Sequence, residues 1–256
     1  MIKYIGIIPA RYNSSRYPGK PLCIIAGKVM IQRVYESALK WKNWVHLTVA
    51  TDDLRIYKKC EELDIPVIMT SSDHRDCIDR CSEAADILVD KHGIGEIRDY
   101  RYIIIQGDEP MFNAETLDVD LSDENVNFYT EITDMADLDD SSVVKLVMNK
   151  NGEAIYFSRY PIPYHDKLTK RIDGCCKFYK QIGVYSMSWR ILHLYRELVA
   201  TSNLEMQEGI GLNRFIENAI PINMRYTKHD SISVDTELDR QAVESHILSS
   251  SNLPSC

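Results

Sequence analysis

Four short apolar runs, at 4–8, 46–51, 66–69 and 102–106, divide the first 110 residues, and helical periodicity fills the gaps between them. Each run is too short for a helix and is rich in Ile and Val, so each reads as a strand. Between them, 30–40 sets Ile31, Val34, Tyr35 and Ala38 on one helical face, and 53–63 follows an N-cap at Asp52 or Asp53. A third helix is expected over 76–91. Alternating strands and helices predict an α/β fold, a doubly wound and mainly parallel sheet that takes ligands at the carboxyl ends of its strands.

The pattern changes after Pro110. Residues 118–140 are acidic and weakly periodic, and 143–148, 154–158 and 181–187 read as strands separated by turns. Together, 118–190 are expected to form a small β-rich extension leaving the first layer, within a single domain spanning 1–256. Helices are expected at 189–200, 205–219 and 236–248, strands at 222–227 and 232–234, and a frayed tail from 249.

With 256 residues, 45% of them hydrophobic, the chain can bury one large core. The net charge of −8 lacks the basic footprint that broad nucleic-acid binding requires. No stretch approaches the ~18 apolar residues of a spanning helix, and MIKYIGIIPAR lacks a signal-peptide core, so a cytoplasmic protein that meets no membrane is expected. Seven cysteines without a C-x-x-C pair suit free thiols in a reducing compartment. His74, Cys77 and Cys81 have helical spacing, but both thiols share an apolar face with Ile78, Ala85 and Leu88, which favours core packing over a metal.

A phosphorylated small ligand needs only a few local cations. Residues 7–22, IIPARYNSSRYPGKPL, concentrate Arg11, Arg16 and Lys20 in a loop whose Gly, Ser and Asn can turn backbone N–H groups inward. It is neither a Walker loop nor the glycine fingerprint of a nicotinamide dehydrogenase. Gln106-Gly107-Asp108-Glu109-Pro110 ends the fourth strand where such a sheet presents ligands, and Asp108 is the first-choice magnesium ligand there. Ser233-Val234-Asp235-Thr236 places another acid after a short apolar run, and Asp235 reads equally as a helix N-cap or a site residue.

These segments, with Ala50-Thr51-Asp52, Ala154-Ile155-Tyr156-Phe157-Ser158-Arg159 and Ile182-Gly183-Val184-Tyr185, follow one another across nearly the whole chain. In this order they resemble the CMP-sugar synthetase family, most closely its 3-deoxy-manno-octulosonate (Kdo) cytidylyltransferases. The resemblance implies a Rossmann-like nucleotidyltransferase fold and transfer of CMP from CTP to a small acidic acceptor, releasing pyrophosphate. It implies nucleotide contacts at Pro9, Ala10, Arg11, Ser15, Lys20, Asp76, Arg80 and Gln106. Acceptor contacts fall at Arg159, Gln181, Tyr185 and Glu208, and catalytic roles at Arg16, Lys20, Asp108 and Asp235, the two aspartates holding Mg2+. A homodimer paired through the β-rich region is also implied.

The chain departs from the family pattern in three places. Where H-x-S-G-T-[DE]-R is usual, residues 74–80 read HRDCIDR; Gln181 stands where R-H-x-G-x-Y carries histidine. In the helix usually reading L-E-x-x-E-x-L-E-x-L-R, Ile210-Gly211 replaces Leu-Glu. An amino-substituted Kdo, another 2-keto sugar acid or a small phosphonate is therefore the alternative acceptor. A nucleotide-binding paralogue without turnover is the alternative of another class, against which Arg11, Lys20, Asp108 and Asp235 all count.

Overall fold

The computed structural model describes residues 2–14, 16–92, 99–164, 177–198 and 203–251. Its first half alternates as expected: β1 (Lys3–Ala10), a small β2–β3 hairpin (Ile24–Ile25, Lys28–Val29), α1 (Met30–Ala38), β4 (Trp44–Thr51), α2 (Leu54–Glu62), β5 (Val67–Met69), α3 (Cys77–His92) and β6 (Tyr100–Ile105). Asp53 is the α2 cap, its carboxylate accepting the Arg55 N–H at 2.8 Å. The second half comprises β7 (Asn125–Glu131), α4 (Met135–Asp139), β8 (Lys145–Met148), β9 (Ala154–Ser158), β10 (Tyr179–Ser188), α5 (Trp189–Glu197), α6 (Asn203–Glu208), α7 (Asn213–Glu217), β11 (Asn223–Tyr226) and α8 (Glu237–Ser251).

The main sheet runs β11-β7-β10-β6-β1-β4-β5. β6, β1, β4 and β5 pair in parallel, as does β11 with β7, whereas β10 is antiparallel to both β6 and β7. The sheet is thus α/β and mixed, its parallel half lying where the alternating sequence placed it. Successive residues of β6 serve opposite faces: Tyr102 and Ile104 pack with α3 and α5, Ile103 and Ile105 with α1 and α2. Burial on both faces explains why these strands are continuous apolar runs. Ile78, Cys81, Ala85 and Leu88 belong to the first of these cores, with Cys77 packed against it.

Several expectations are corrected. The acidic segment 118–140 contains β7, which with β10 continues the main sheet; only β8 and β9 lie off its path. The helix expected over 205–219 is two, α6 and α7, interrupted at Gly209, whose φ of +63° is left-handed. Residues 232–234 form no strand; the Val234 N–H instead donates to the Asp108 carbonyl at 2.9 Å.

Asp108 is placed by a close approach of two backbones. A Cβ on Gly107 would lie 2.5 Å from the Pro9 carbonyl oxygen at the end of β1, so only glycine lets the loop after β6 reach that position. Gly107→Ala is expected to destabilise the fold by about 1–3 kcal/mol, the usual cost of overpacking. Thermal unfolding of the purified variant checks this, and a midpoint equal to wild type would contradict the close approach.

Candidate active site

A cleft of about 460 Å³ opens at the carboxyl ends of β1 and β6. Its lining brings together Pro9, Ala10, Arg11, Arg16, Lys20, Asp76, Arg80, Gln106, Asp108, Arg159, Gln181, Tyr185 and Asp235. Glu208 is not among the lining residues, and Ser15 lies outside the described residues.

At its centre, Lys20 Nζ donates to Asp108 Oδ2 at 2.6 Å, Asp235 Oδ1 at 2.9 Å and the Val234 carbonyl at 3.0 Å. Arg16 reaches the other Asp235 oxygen at 2.9 Å. Burial opposes charge on both Lys20 and Asp235, yet their pairing raises the ammonium above its ordinary range and holds the carboxyl below its own. Asp235 is free for this role because it does not cap α8. Thr236 Oγ1 accepts the Asp239 N–H while Asp239 accepts the Thr236 N–H, a reciprocal capping box.

The loop after β1 is tied down on both sides. Gly19, left-handed at φ +74°, donates its N–H to the Tyr12 carbonyl at 2.8 Å, and the Tyr17 hydroxyl donates to Glu237 at 2.7 Å. Arg11 and Arg75 line the cleft exposed, without an ion-pair partner among the described residues. Arg75, missed as a site residue, sits inside the divergent 74–80 segment. Arg80 is buried, donating to Thr70 Oγ1 at 2.6 Å and pairing with Asp52 at 3.2 Å. Asp76 caps α3, accepting the N–H groups of Ile78 and Asp79 at 2.8 and 3.0 Å.

On the opposite wall, Arg159 donates Nε to the Glu208 carbonyl at 2.8 Å and a terminal nitrogen to the Ser141 carbonyl at 2.8 Å. The Glu208 carboxylate lies behind it, accepting from Tyr156, Ser158 and the Arg159 N–H. The Tyr185 hydroxyl accepts amide hydrogens from both Gln106 (2.7 Å) and Gln181 (3.2 Å). Lys180, also on the lining, bridges Asp137 and Asp230 at 2.6 and 2.7 Å. Glu109 is buried; its burial and the adjacent Asp108 push it up to about 7, and Ser231 donates to it.

No cluster of three His, Cys, Asp or Glu suited to a metal occurs among the described residues. Two carboxylates do converge, and Asp108 Oδ1 is buried without a hydrogen-bond partner. Hard oxygens in that number fit magnesium, which binds through one or two carboxylates and completes its shell with phosphates and water.

The family model described as cytidylyltransferase matches residues 5–225. A 3-deoxy-manno-octulosonate cytidylyltransferase of Thermodesulfovibrio yellowstonii is 40% identical over 247 residues, covering 94% of this chain and 96% of its own. The mitochondrial 3-deoxy-manno-octulosonate cytidylyltransferase of Arabidopsis thaliana is 35% identical, with 95% and 82% covered. A solved CMP:2-keto-3-deoxy-manno-octonic acid synthetase complexed with CTP superposes with a TM-score of 0.81 at 32% identity, over 97% of this chain and 99% of that one.

Lys20→Met would leave Asp108 and Asp235 facing each other without their shared cation, a cost on the order of 2 kcal/mol for groups this buried. Pairing with Lys20 holds the Asp235 carboxyl below its ordinary range, so the stability that the substitution removes is full above the unfolded pKa and fades as pH falls through the lower folded one. Thermal midpoints measured with chelator should therefore differ most near neutral pH and converge only as pH falls below about 4, the ordinary aspartate range. A constant gap across that range would rule out this electrostatic origin.

Proposed function

The chain belongs to the cytidylyltransferase family, and from that premise we propose that it transfers CMP from CTP to the 2-keto sugar acid Kdo, releasing pyrophosphate. The observation that carries the reading is the meeting of Asp108 and Asp235 on one ammonium, beside an unpartnered Asp108 oxygen and two exposed arginines, Arg11 and Arg75, without an ion pair among the described residues.

In this reaction an acceptor hydroxyl oxygen bonds to the α-phosphorus as the α–β phosphoanhydride bond breaks, and the hydroxyl proton passes to solvent. Such transfers depend on positioning and charge neutralisation more than on covalent chemistry. Arg11 and Arg16 meet the incoming triphosphate, and Lys20 remains beside the phosphates to stabilise the departing pyrophosphate. Asp108 and Asp235 would hold magnesium, which supplies further positive charge to the phosphate oxygens when bound. Arg159 presents a planar fork suited to the acceptor carboxylate, and Gln181 and Tyr185 offer polar contacts beside it.

Asp108→Ala and Asp235→Ala should each lower pyrophosphate release with CTP, magnesium and Kdo by more than a hundredfold while leaving circular dichroism unchanged. Activity within tenfold of wild type, only ~1.4 kcal/mol of barrier, would remove the metal role from that residue. Running amino-substituted Kdo, other 2-keto sugar acids and small phosphonates alongside tests the acceptor: one of them surpassing Kdo a hundredfold would overturn Kdo but leave cytidylyl transfer standing.

The same reading includes a homodimer through the β-rich region. Ile155, Tyr160 and Tyr164 are 52, 79 and 87% exposed there, a concentration of large apolar surface that pairing would cover. Sedimentation velocity at micromolar concentration should give a dimer, and a clean monomer would remove it.

A further inference from the structure

Asp76 lines the cleft away from the Lys20 cluster, and both its oxygens are committed to partners that hold α3, α5 and α7 together. Oδ1 accepts the two N–H groups that begin α3; Oδ2 accepts the Tyr195 hydroxyl and an Arg214 nitrogen, the latter at 3.2 Å. Arg214 is fully buried and stacks 3.7 Å over the Tyr195 ring. Its other bonds run to Glu205, twice at 2.6 Å, to the Tyr195 carbonyl at 3.0 Å and to Asp79 on α3 at 3.4 Å. Glu205 lies on α6 and Arg214 on α7, so this one guanidinium fastens both ends of the 209–212 turn to α3 and α5.

That turn is half of the Arg159 mount. The Glu208 and Gly209 carbonyls accept from the Arg159 guanidinium at 2.8 and 3.4 Å. The turn also approaches Asp76 closely: a Cβ on Gly211 would stand 2.5 Å from the Tyr195 hydroxyl and 3.2 Å from Asp76 Oδ2. Positions 76 and 211 are both among the departures noted in the sequence, where the usual pattern places a glutamate at 211. Here a carboxylate enters the same space from α3.

We infer that Asp76 is a positioning residue for the acceptor, holding through Arg214 and Tyr195 the turn that aims Arg159, and that it is not a ligand of the nucleotide. The inference rests on the reading of Arg159 as the residue that meets the acceptor carboxylate.

Asp76→Asn keeps an oxygen for the α3 N–H groups but puts an amide where Tyr195 and Arg214 need an acceptor. With Kdo and CTP, the acceptor KM is expected to rise at least tenfold while the CTP KM stays within twofold. In the free protein, amide hydrogen exchange should accelerate across 203–217 and not in β1. A CTP KM that moves as far as the acceptor KM, an acceptor KM that does not move, or unchanged exchange across 203–217 would each overturn the inference. If wild type releases no pyrophosphate with any sugar acid, the proposed function falls, and the exchange measurement alone decides the role of Asp76. Should Asp76→Asn fail to fold, Tyr195→Phe removes only the hydroxyl contact and takes the same two measurements with the same expected split.

Discussion

Everything in the cleft is arranged around one ammonium shared by two carboxylates. Asp108 and Asp235 are 127 residues apart in sequence and come from different elements, and like charges brought together in a partly buried place repel strongly. Lys20 resolves that conflict with three bonds of 2.6 to 3.0 Å. The arrangement is costly to desolvate and contributes little net stability for its trouble. It keeps two oxygen donors close together, as the proposed meeting of a polyphosphate and a divalent cation would require.

The fold supplies this arrangement with backbone rather than with flexible side chains. The loop after β6 is pressed against the end of β1 through Gly107, the Val234 N–H donates to the Asp108 carbonyl, and a capping box at Thr236 and Asp239 fixes where α8 starts. Each constraint locates one carboxylate to within the tolerance of a hydrogen bond. Preorganisation of this kind lets charge in the site act without waiting for the protein to rearrange.

How much of this was legible in the sequence follows from where the physical signal was local. The parallel strands were visible because burial on both faces makes them unbroken apolar runs, and Asp108 was visible because it ends such a run. β7 was not, since its Asn125 and Asn127 look like loop residues; they are buried because Pro221, Ile182 and Val184 offer carbonyls to their amides from distant segments. Residues 232–234 were apolar enough for a strand, but pairing is decided by a neighbouring edge, and the backbone partner found there is the single carbonyl of Asp108. Whether Asp235 was a cap or a site residue turned on Thr236, whose hydroxyl takes the capping role one position later. The Arg214 cluster gave no signal, since its partners come from α3, α5 and α6 and meet only in three dimensions.

Gln181 illustrates how a departure from a family pattern can be absorbed chemically. Its amide donates to the Tyr185 hydroxyl, which also accepts from Gln106. With both lone pairs of that oxygen engaged, its own hydrogen is directed away from the two amides, and Tyr185 is left as a donor on the cleft wall. Burial keeps that phenol well above its ordinary pKa, so the hydrogen stays in place through the physiological range. A histidine at 181 could change charge between pH 5 and 8, whereas glutamine cannot. Toward the proposed acceptor this wall would offer neutral hydrogen bonds of fixed polarity, which would leave recognition of its carboxylate by charge to Arg159.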